Sequence, residues 1–225
     1  MPVATIIGAG PGIGQAVARR FAREGFSIML VARSKTTVEG AAARLTGVPT
    51  LALTADATNE TALRTALDVA NGRFGLPDVV VYNAARVKAH SLEGTSLRDH
   101  LDAWAVNVGG AIVTAAHLAP AMAGRGNGTF LVTGGMPEPK PEYSSLSLGK
   151  AGVRTLVALI DQRYGAAGVH AASVTIGGPV APGTAFDPRD IAEHYWRLHT
   201  QPHGRWDHEV VHTEEIGRAM RAAAE

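Results

Sequence analysis

The sequence predicts a doubly wound α/β fold: one domain over residues 1–225, with a parallel sheet of about seven strands and helices on both faces. Three observations predict it. Short apolar runs alternate with helix-patterned segments along the chain, as βα units do. Those runs are nearly continuous in apolar residues, FSIMLVA at 26–32 and VVVY within 78–82, as strands buried on both faces require. The first run passes directly into a glycine turn and a helix, ATIIGAGPGIG at 4–14 followed by QAVARRFARE.

In the first helix Val17, Ala18 and Phe21 recur at helical spacing, with Arg19, Arg20, Arg23 and Glu24 turned outward, and Gly25 closes it. The second strand, 26–32, is followed by Arg33. A second helix is expected at 36–45, a third strand at 49–54 reaching Asp56, and a third helix at 57–73. The fourth strand, 78–82, runs into Asn83-Ala84-Ala85, and 86–95 reads as loop. Ser96 is placed to cap a long helix over 97–122, interrupted near Gly109-Gly110 and limited by Pro120. The fifth strand, 129–133, ends in Gly134-Gly135, and three prolines make the following MPEPKPEY extended loop. A helix over 144–164 presents Leu148, Val153, Leu156, Val157 and Ile160 on its apolar face. The sixth strand covers 170–176, and a substrate loop is expected at about 177–188. Asp187 caps the next helix, with Pro188 at its first position, and the helix runs to about 199. A short strand at 209–213 and a helix at 214–224 complete the chain.

Composition narrows the function classes. With 46% hydrophobic and 18% charged residues, a chain of 225 residues can bury a substantial core. A net charge of +1 without a basic run gives no reason to expect nucleic acid or a membrane surface. No apolar run is expected to span a membrane, and residues 1–9 lack the pattern of a signal peptide. The absence of cysteine excludes disulfide and thiolate chemistry and fits a cytoplasmic location.

Gly8, Gly12 and Gly14, with Gly10 between them, form a G-x-x-x-G-x-G turn between strand and helix. Such a junction leaves free backbone N–H groups and the positive end of a helix dipole at a strand tip, where a pyrophosphate is favoured. A plain glycine-rich turn without a ligand is the alternative. In a doubly wound sheet, ligand binds beyond the carboxyl ends of the strands. Those ends carry Gly8, Arg33, Asp56, Asn83-Ala84-Ala85 and Thr133-Gly134-Gly135, and Lys150 follows on the next helix.

In this order the residues resemble the short-chain dehydrogenase/reductase family over nearly the full chain. The glycine spacing, the Asp after the third strand, the N-A-A after the fourth and Asn107-Val108-x-Gly110 all match. The resemblance implies a Rossmann-type fold whose cofactor site comprises Gly8, Gly10, Gly12, Ile13, Gly14, Arg33, Ser34, Asp56, Ala57, Asn83, Ala84, Ala85 and Lys150. Where NAD-dependent members carry an acid at the end of the second strand, this chain has Ala32 and then Arg33. A guanidinium can pair with a 2′-phosphate, so NADP is favoured over NAD; a solvated surface arginine is the alternative. Asp56 would accept a hydrogen bond from the adenine amine, or cap a helix instead. Asn83 would line the cofactor's ribose side, in a motif whose usual final glycine is here Ala85. Asn107 would support a water chain behind Lys150, or be structural. The family's helix pairs also imply a homodimer or homotetramer.

The catalytic set departs from the family pattern. The resemblance implies a tyrosine four residues before the lysine, one turn away on the same face, where the ammonium makes the phenol an acid–base group. Here that place holds Leu146. The serine that orients a substrate carbonyl falls on Gly134 or Gly135, with Thr133 adjacent. Tyr143 lies seven residues before Lys150, about 10.5 Å along a helix axis at 1.5 Å per residue. A similarity to an atypical branch, carried by IAEHYWRLH at 191–199, accommodates a missing tyrosine.

Two functions are open at this level. One is an NADP-dependent oxidoreductase acting on a small carbonyl or alcohol, with Lys150 and Asn107 retained and the proton supplied by Tyr143, Thr133 or water. The other is a catalytically silent NADP(H)-binding protein, a sensor or scaffold. His208-Glu209-Val210-Val211-His212 spells the zinc-protease pattern H-E-x-x-H. Its valines favour a strand, which would hold the two imidazoles about 13 Å apart and unable to share a metal, so none is expected.

Overall fold

The computed structural model describes residues 1–223 and has the predicted architecture. Its strands are β1 (Val3–Ile7), β2 (Ser27–Ala32), β3 (Thr50–Thr54), β4 (Val79–Tyr82), β5 (Gly128–Thr133), β6 (Val169–Ile176) and β7 (Glu209–His212). They form one sheet in the order β3-β2-β1-β4-β5-β6-β7, and every pairing is parallel. Strand order therefore reverses between β1 and β4, and a crevice opens beyond their carboxyl ends. Residues of β1, β2, β4 and β6 are buried throughout, which is why β2 and β4 read as nearly continuous apolar runs rather than alternating ones.

Helices α1 (Ile13–Arg23), α2 (Lys35–Ala42) and α3 (Glu60–Phe74) follow the first three strands. Next come α4 (Leu97–Trp104), a π turn (Ala105–Gly109) and α5 (Gly110–Arg125), then α6 (Ser144–Tyr164), α7 (Pro188–His199) and α8 (Glu214–Ala222). The expected end of the last helix at Ala224 lies outside the described residues. One core lies between the sheet and α3, α5 and α6; the other lies between the sheet and α1, α2 and α7. Phe21 of α1 anchors the second core, edge-on to Phe26 at 5.2 Å and to Trp196 of α7 at 5.6 Å. Burying such a ring contributes about 1.5–3 kcal/mol.

Three expectations are corrected. Pro120 does not limit its helix: α5 runs on to Arg125 and ends at left-handed Gly126. Pro120 and Ala116, whose carbonyl the proline leaves without an N–H, are both exposed, so that carbonyl is not left in a dry interior. Leu148 is 57% exposed instead of part of the apolar face, because α6 turns that side away from the sheet. The third helix starts at Glu60, three residues late, since Asp56 is occupied with its own turn and Asn59 supplies the cap. By length and composition the helical stretch Leu97–Arg125 could cross a membrane, unlike any run expected from the sequence. Half of its apolar 18-residue window is buried, and α5 packs on α3, α6 and β5, the place of a core helix.

The H-E-x-x-H segment is a strand from Glu209, as its valines predict. His212 is buried, and both its ring nitrogens are engaged, Nδ1 with His194 Nε2 at 2.8 Å and Nε2 with Ala185 O at 2.8 Å. Arg197 reaches His194 Nδ1 at 3.3 Å. An arginine can only donate, so the chain has one direction: Arg197 to His194, His194 to His212, and His212 to the carbonyl of the 177–187 loop. Both imidazoles must be neutral to carry it. Burial, with help from Arg197 and His212, pushes the His194 pKa down to about 4.

Because the unfolded chain takes up this proton near pH 6.5, the contribution of neutral His194 to stability is complete above that pH. It is lost progressively as pH falls towards 4. Urea midpoints should accordingly fall between pH 7 and pH 4.5, and H194Q should make that decline shallower; an unchanged slope in H194Q would rule the histidine chain out as a cause.

Candidate active site

The cleft at the switch point has a volume of about 2380 Å³. Pockets for single small ligands usually hold roughly 300–1,000 Å³, so there is room here for a dinucleotide and a substrate together. All the residues proposed for a cofactor or for catalysis line it, except Gly14 and Asn107, which stand directly behind its wall.

The glycines divide into two kinds. At Gly8, φ is +90° and a Cβ would lie 2.4 Å from the Ala84 nitrogen; at Gly14 it would lie 2.3 Å from Gly8 O. These two are glycine because backbone meets backbone as the turn after β1 passes the end of β4. At Gly10 and Gly12 a Cβ would meet nothing within 4 Å. Both face the open cleft, beside an α1 first turn that has no side-chain cap and no acidic residue. A cradle that is bare only on its open side fits a pyrophosphate approaching the backbone.

Arg33 is exposed beyond β2, next to Ser34, which caps α2 through Thr37 N at 3.2 Å. Among the described residues Arg33 forms no ion pair. Asp56 accepts from Thr58 N at 2.9 Å and from Thr58 Oγ1 at 2.8 Å, both through Oδ1. The Thr58 N–H is the main reason its pKa falls below the usual carboxylate range. Among the described residues its Oδ2 has no hydrogen-bond partner. Asn83 is a fork: Nδ2 donates to Gly8 O at 2.8 Å while Oδ1 accepts from Thr133 Oγ1 at 2.8 Å.

That fork decides the state of Thr133. Its one hydroxyl proton goes to Asn83, so the contact to Tyr195 Oη at 2.7 Å has the tyrosine donating. The hydroxyl thus points to α7, away from α6 and Lys150. Lys150 comes from the other face of the sheet, is 7% exposed, and donates from Nζ to Thr133 O at 2.6 Å. Burial, then the charge of Arg154, brings its pKa down to about 8. Leu146, one turn before it, also lines the cleft. Tyr143 immediately precedes α6, reaches the cleft, and makes no hydrogen bond to Lys150.

Asn107 lies in the π turn. Its Oδ1 accepts from Arg86 N at 2.8 Å, and its buried Nδ2, beside Gly149, has no partner. Tyr82 holds the turn by donating from its phenol to Val106 O at 2.5 Å, and Gly110 is glycine because a Cβ would sit 2.2 Å from that phenol oxygen.

Sequence reasoning missed Tyr82, Tyr195 and Arg154. Arg154 donates from one guanidinium nitrogen to Gly135 O at 3.0 Å and to Met136 O at 3.4 Å. Met136, at φ 48°, is the one non-glycine residue with positive φ among the described residues. The four-residue spacing of Lys150 and Arg154 was a readable signal; the partners of Tyr82 and Tyr195 depend on the fold.

The two kinds of glycine should separate in the absence of any ligand. Gly12→Ala is expected to leave the thermal midpoint within about 2 °C and to weaken dinucleotide binding, whereas Gly14→Ala should lower the midpoint by roughly 5 °C or more. Equal midpoints for the two variants would contradict the steric assignment.

Comparison with known proteins agrees with this geometry. The family model described as short chain dehydrogenase matches residues 2–187. An uncharacterized oxidoreductase of Staphylococcus aureus is 26% identical over 211 residues, covering 89% of this chain and 91% of that one. A short-chain dehydrogenase/reductase of Armillaria gallica is 27% identical, covering 96% and 82%. Among solved structures, an alcohol dehydrogenase from the archaeon Thermococcus sibiricus, complexed with 5-hydroxy-NADP, superimposes with a TM-score of 0.85 at 27% identity, covering 94% and 95%. With a parallel seven-stranded sheet, the glycine turn at its switch point and a family match over most of its length, the chain belongs to the short-chain dehydrogenase family.

Proposed function

We propose that this protein is an NADP(H)-dependent oxidoreductase that interconverts a small carbonyl compound and its alcohol. The observation that carries the reading is the pair Gly10 and Gly12, bare where nothing in the protein requires it, with an unpaired Arg33 further along the same cleft. Gly10, Gly12, Ile13 and the first turn of α1 would hold the pyrophosphate, with Gly8 and Gly14 shaping the turn. Arg33 and Ser34 would hold the 2′-phosphate, Asp56 and Ala57 the adenine, and Asn83-Ala84-Ala85 the ribose side. Lys150 would hold the nicotinamide ribose, with Asn107 behind it. When bound, the cofactor supplies or accepts hydride. Ala32 at the end of β2 supports NADP over NAD, because no carboxylate is there to repel a phosphate. That the Thermococcus sibiricus relative was solved with an NADP derivative supports the same choice.

A homodimer or homotetramer belongs to this reading. Leu97, Leu101 and Trp104 on α4, Ile112 on α5, and Leu148 and Leu159 on α6 are large apolar residues left exposed, on helices that pack around the π turn. A second copy of the chain is the occupant proposed for them.

One observation favours the second reading, an NADP(H)-binding protein without turnover. Leu146 has no proton to transfer, and the Thr133 proton is committed to Asn83. Fluorescence titration and a carbonyl-substrate screen separate the two. NADPH should bind more tightly than NADH, and R33A should weaken NADPH about tenfold or more while changing NADH little, as loss of a charged hydrogen bond implies. Equal loss for both cofactors would remove the 2′-phosphate role from Arg33. Tight NADPH binding with no oxidation by any carbonyl would leave the silent protein.

A further inference from the structure

Lys150 is a buried cation without an anion. Among the described residues its one hydrogen-bond partner is Thr133 O, and no carboxylate lies within ion-pair distance. Two of its three N–H groups are therefore free. Unpaired buried charges are costly and concentrate at functional sites. The space around this one is specific. A Cβ on Gly135, one of the two places where the resemblance puts a serine, would lie 3.6 Å from Lys150 Cε in ordinary contact. Glycine leaves that volume to the cleft, and Leu146 adds an apolar wall without a competing donor. Arg154, one turn beyond Lys150, grips the carbonyls of Gly135 and left-handed Met136 and so holds the turn against the lysine stem.

We propose that Lys150 is itself the acid–base group of this enzyme, giving the proton to a substrate carbonyl oxygen in reduction and taking it back in oxidation. Arg154 is the positioning residue that holds the turn at 134–136 and sets the lysine's acidity. The proposal rests on the oxidoreductase reading above. In reduction, the carbonyl carbon gains a C–H bond through hydride from the reduced nicotinamide, and the C=O π pair moves to oxygen. That oxygen takes a proton from Nζ, leaving a neutral amine that is reprotonated from water. The carbonyl is reduced by two electrons and the nicotinamide is oxidised by two.

An ordinary lysine, with a pKa of about 10.4, is a weak acid near neutrality. Burial and the Arg154 charge bring this one to about 8, close to the working range of a general acid. Around it, Thr133 O, the Asn107 amide and the Ile176 backbone do not titrate. The cationic side chains on the cleft wall include Arg86, Arg98 and Lys140, and the anionic ones Asp102, Glu138 and Glu214; none pairs with Lys150.

The chain has four lysines, Lys35, Lys88, Lys140 and Lys150, so the ¹³Cε signals of lysine-labelled cofactor-free protein can be assigned with K150R. The Lys150 signal should titrate near pH 8, below the ordinary lysine range. Arg154→Met should move it upward, and Arg154→Lys should largely restore it. Titration of Lys150 in the ordinary lysine range, about 10.4, or no response to Arg154→Met, would overturn the proposal without any reference to turnover. With a carbonyl substrate found by the screen, kcat for reduction should fall as pH rises through about 8. K150R keeps the charge but cannot release a proton, so at saturating NADPH it should lose roughly a hundredfold or more in kcat. Wild-type kcat in K150R would refute the proton role. Failure of the wild-type chain to bind NADPH would instead refute the oxidoreductase reading, and the titration would still report on Lys150.

Discussion

The site depends on one close backbone approach, the turn after β1 lying against Asn83 and Ala84 at the end of β4. Gly8 and Gly14 make it sterically possible, and the Asn83 carboxamide fastens it by donating to Gly8 O. The other side of the same carboxamide accepts from Thr133, which in turn accepts from Tyr195. Four segments from across the chain, namely β1, β4, β5 and α7, are thus tied by three consecutive hydrogen bonds of one polarity. Buried polar chains of this kind hold a unique geometry because every member is satisfied.

The same chain has a chemical cost. It commits the Thr133 proton to Asn83 and leaves the oxygen accepting from Tyr195 of α7. On the opposite face of the sheet α6 presents Leu146 and Lys150 to the cleft, and the turn after β5 presents Gly134 and Gly135. What remains at the reacting end is a single ammonium, held by one carbonyl and flanked by a guanidinium. The glycine turn and Lys150 thus occupy separate parts of the cleft and are built by different segments: the turn by β1, α1 and the end of β4, the lysine by α6.

A second polar chain, Arg197–His194–His212–Ala185, does for the 177–187 loop what Asn83 does for the glycine turn. The loop is also held by Asp187, which accepts from Gly183 N at 2.8 Å and caps α7 through Arg189 N at 2.9 Å. Phe186 and Gly178 of this loop line the cleft, so buried histidines behind β7 support the wall of a site they do not enter.

Sequence by itself determined the order and kind of the elements, because strands buried on both faces must be apolar runs and a strand-to-helix crossing needs its glycines. It also placed Arg33, Asp56, Asn83 and Lys150 at the carboxyl ends of the sheet, since that follows from connectivity alone. It misjudged Pro120 and Leu148, whose solvent exposure is a property of packing. Only the tertiary structure decided where each proton resides. The partner of Thr133 is 62 residues away at Tyr195, and no local pattern reveals that a hydroxyl is already bonded. Nor does spacing show that Lys150 has no counter-ion among the described residues, for that depends on what every other segment brings to within about 4 Å of it. Secondary structure is set mainly by local periodicity and burial; the state of a buried polar group is set by the neighbours that folding delivers.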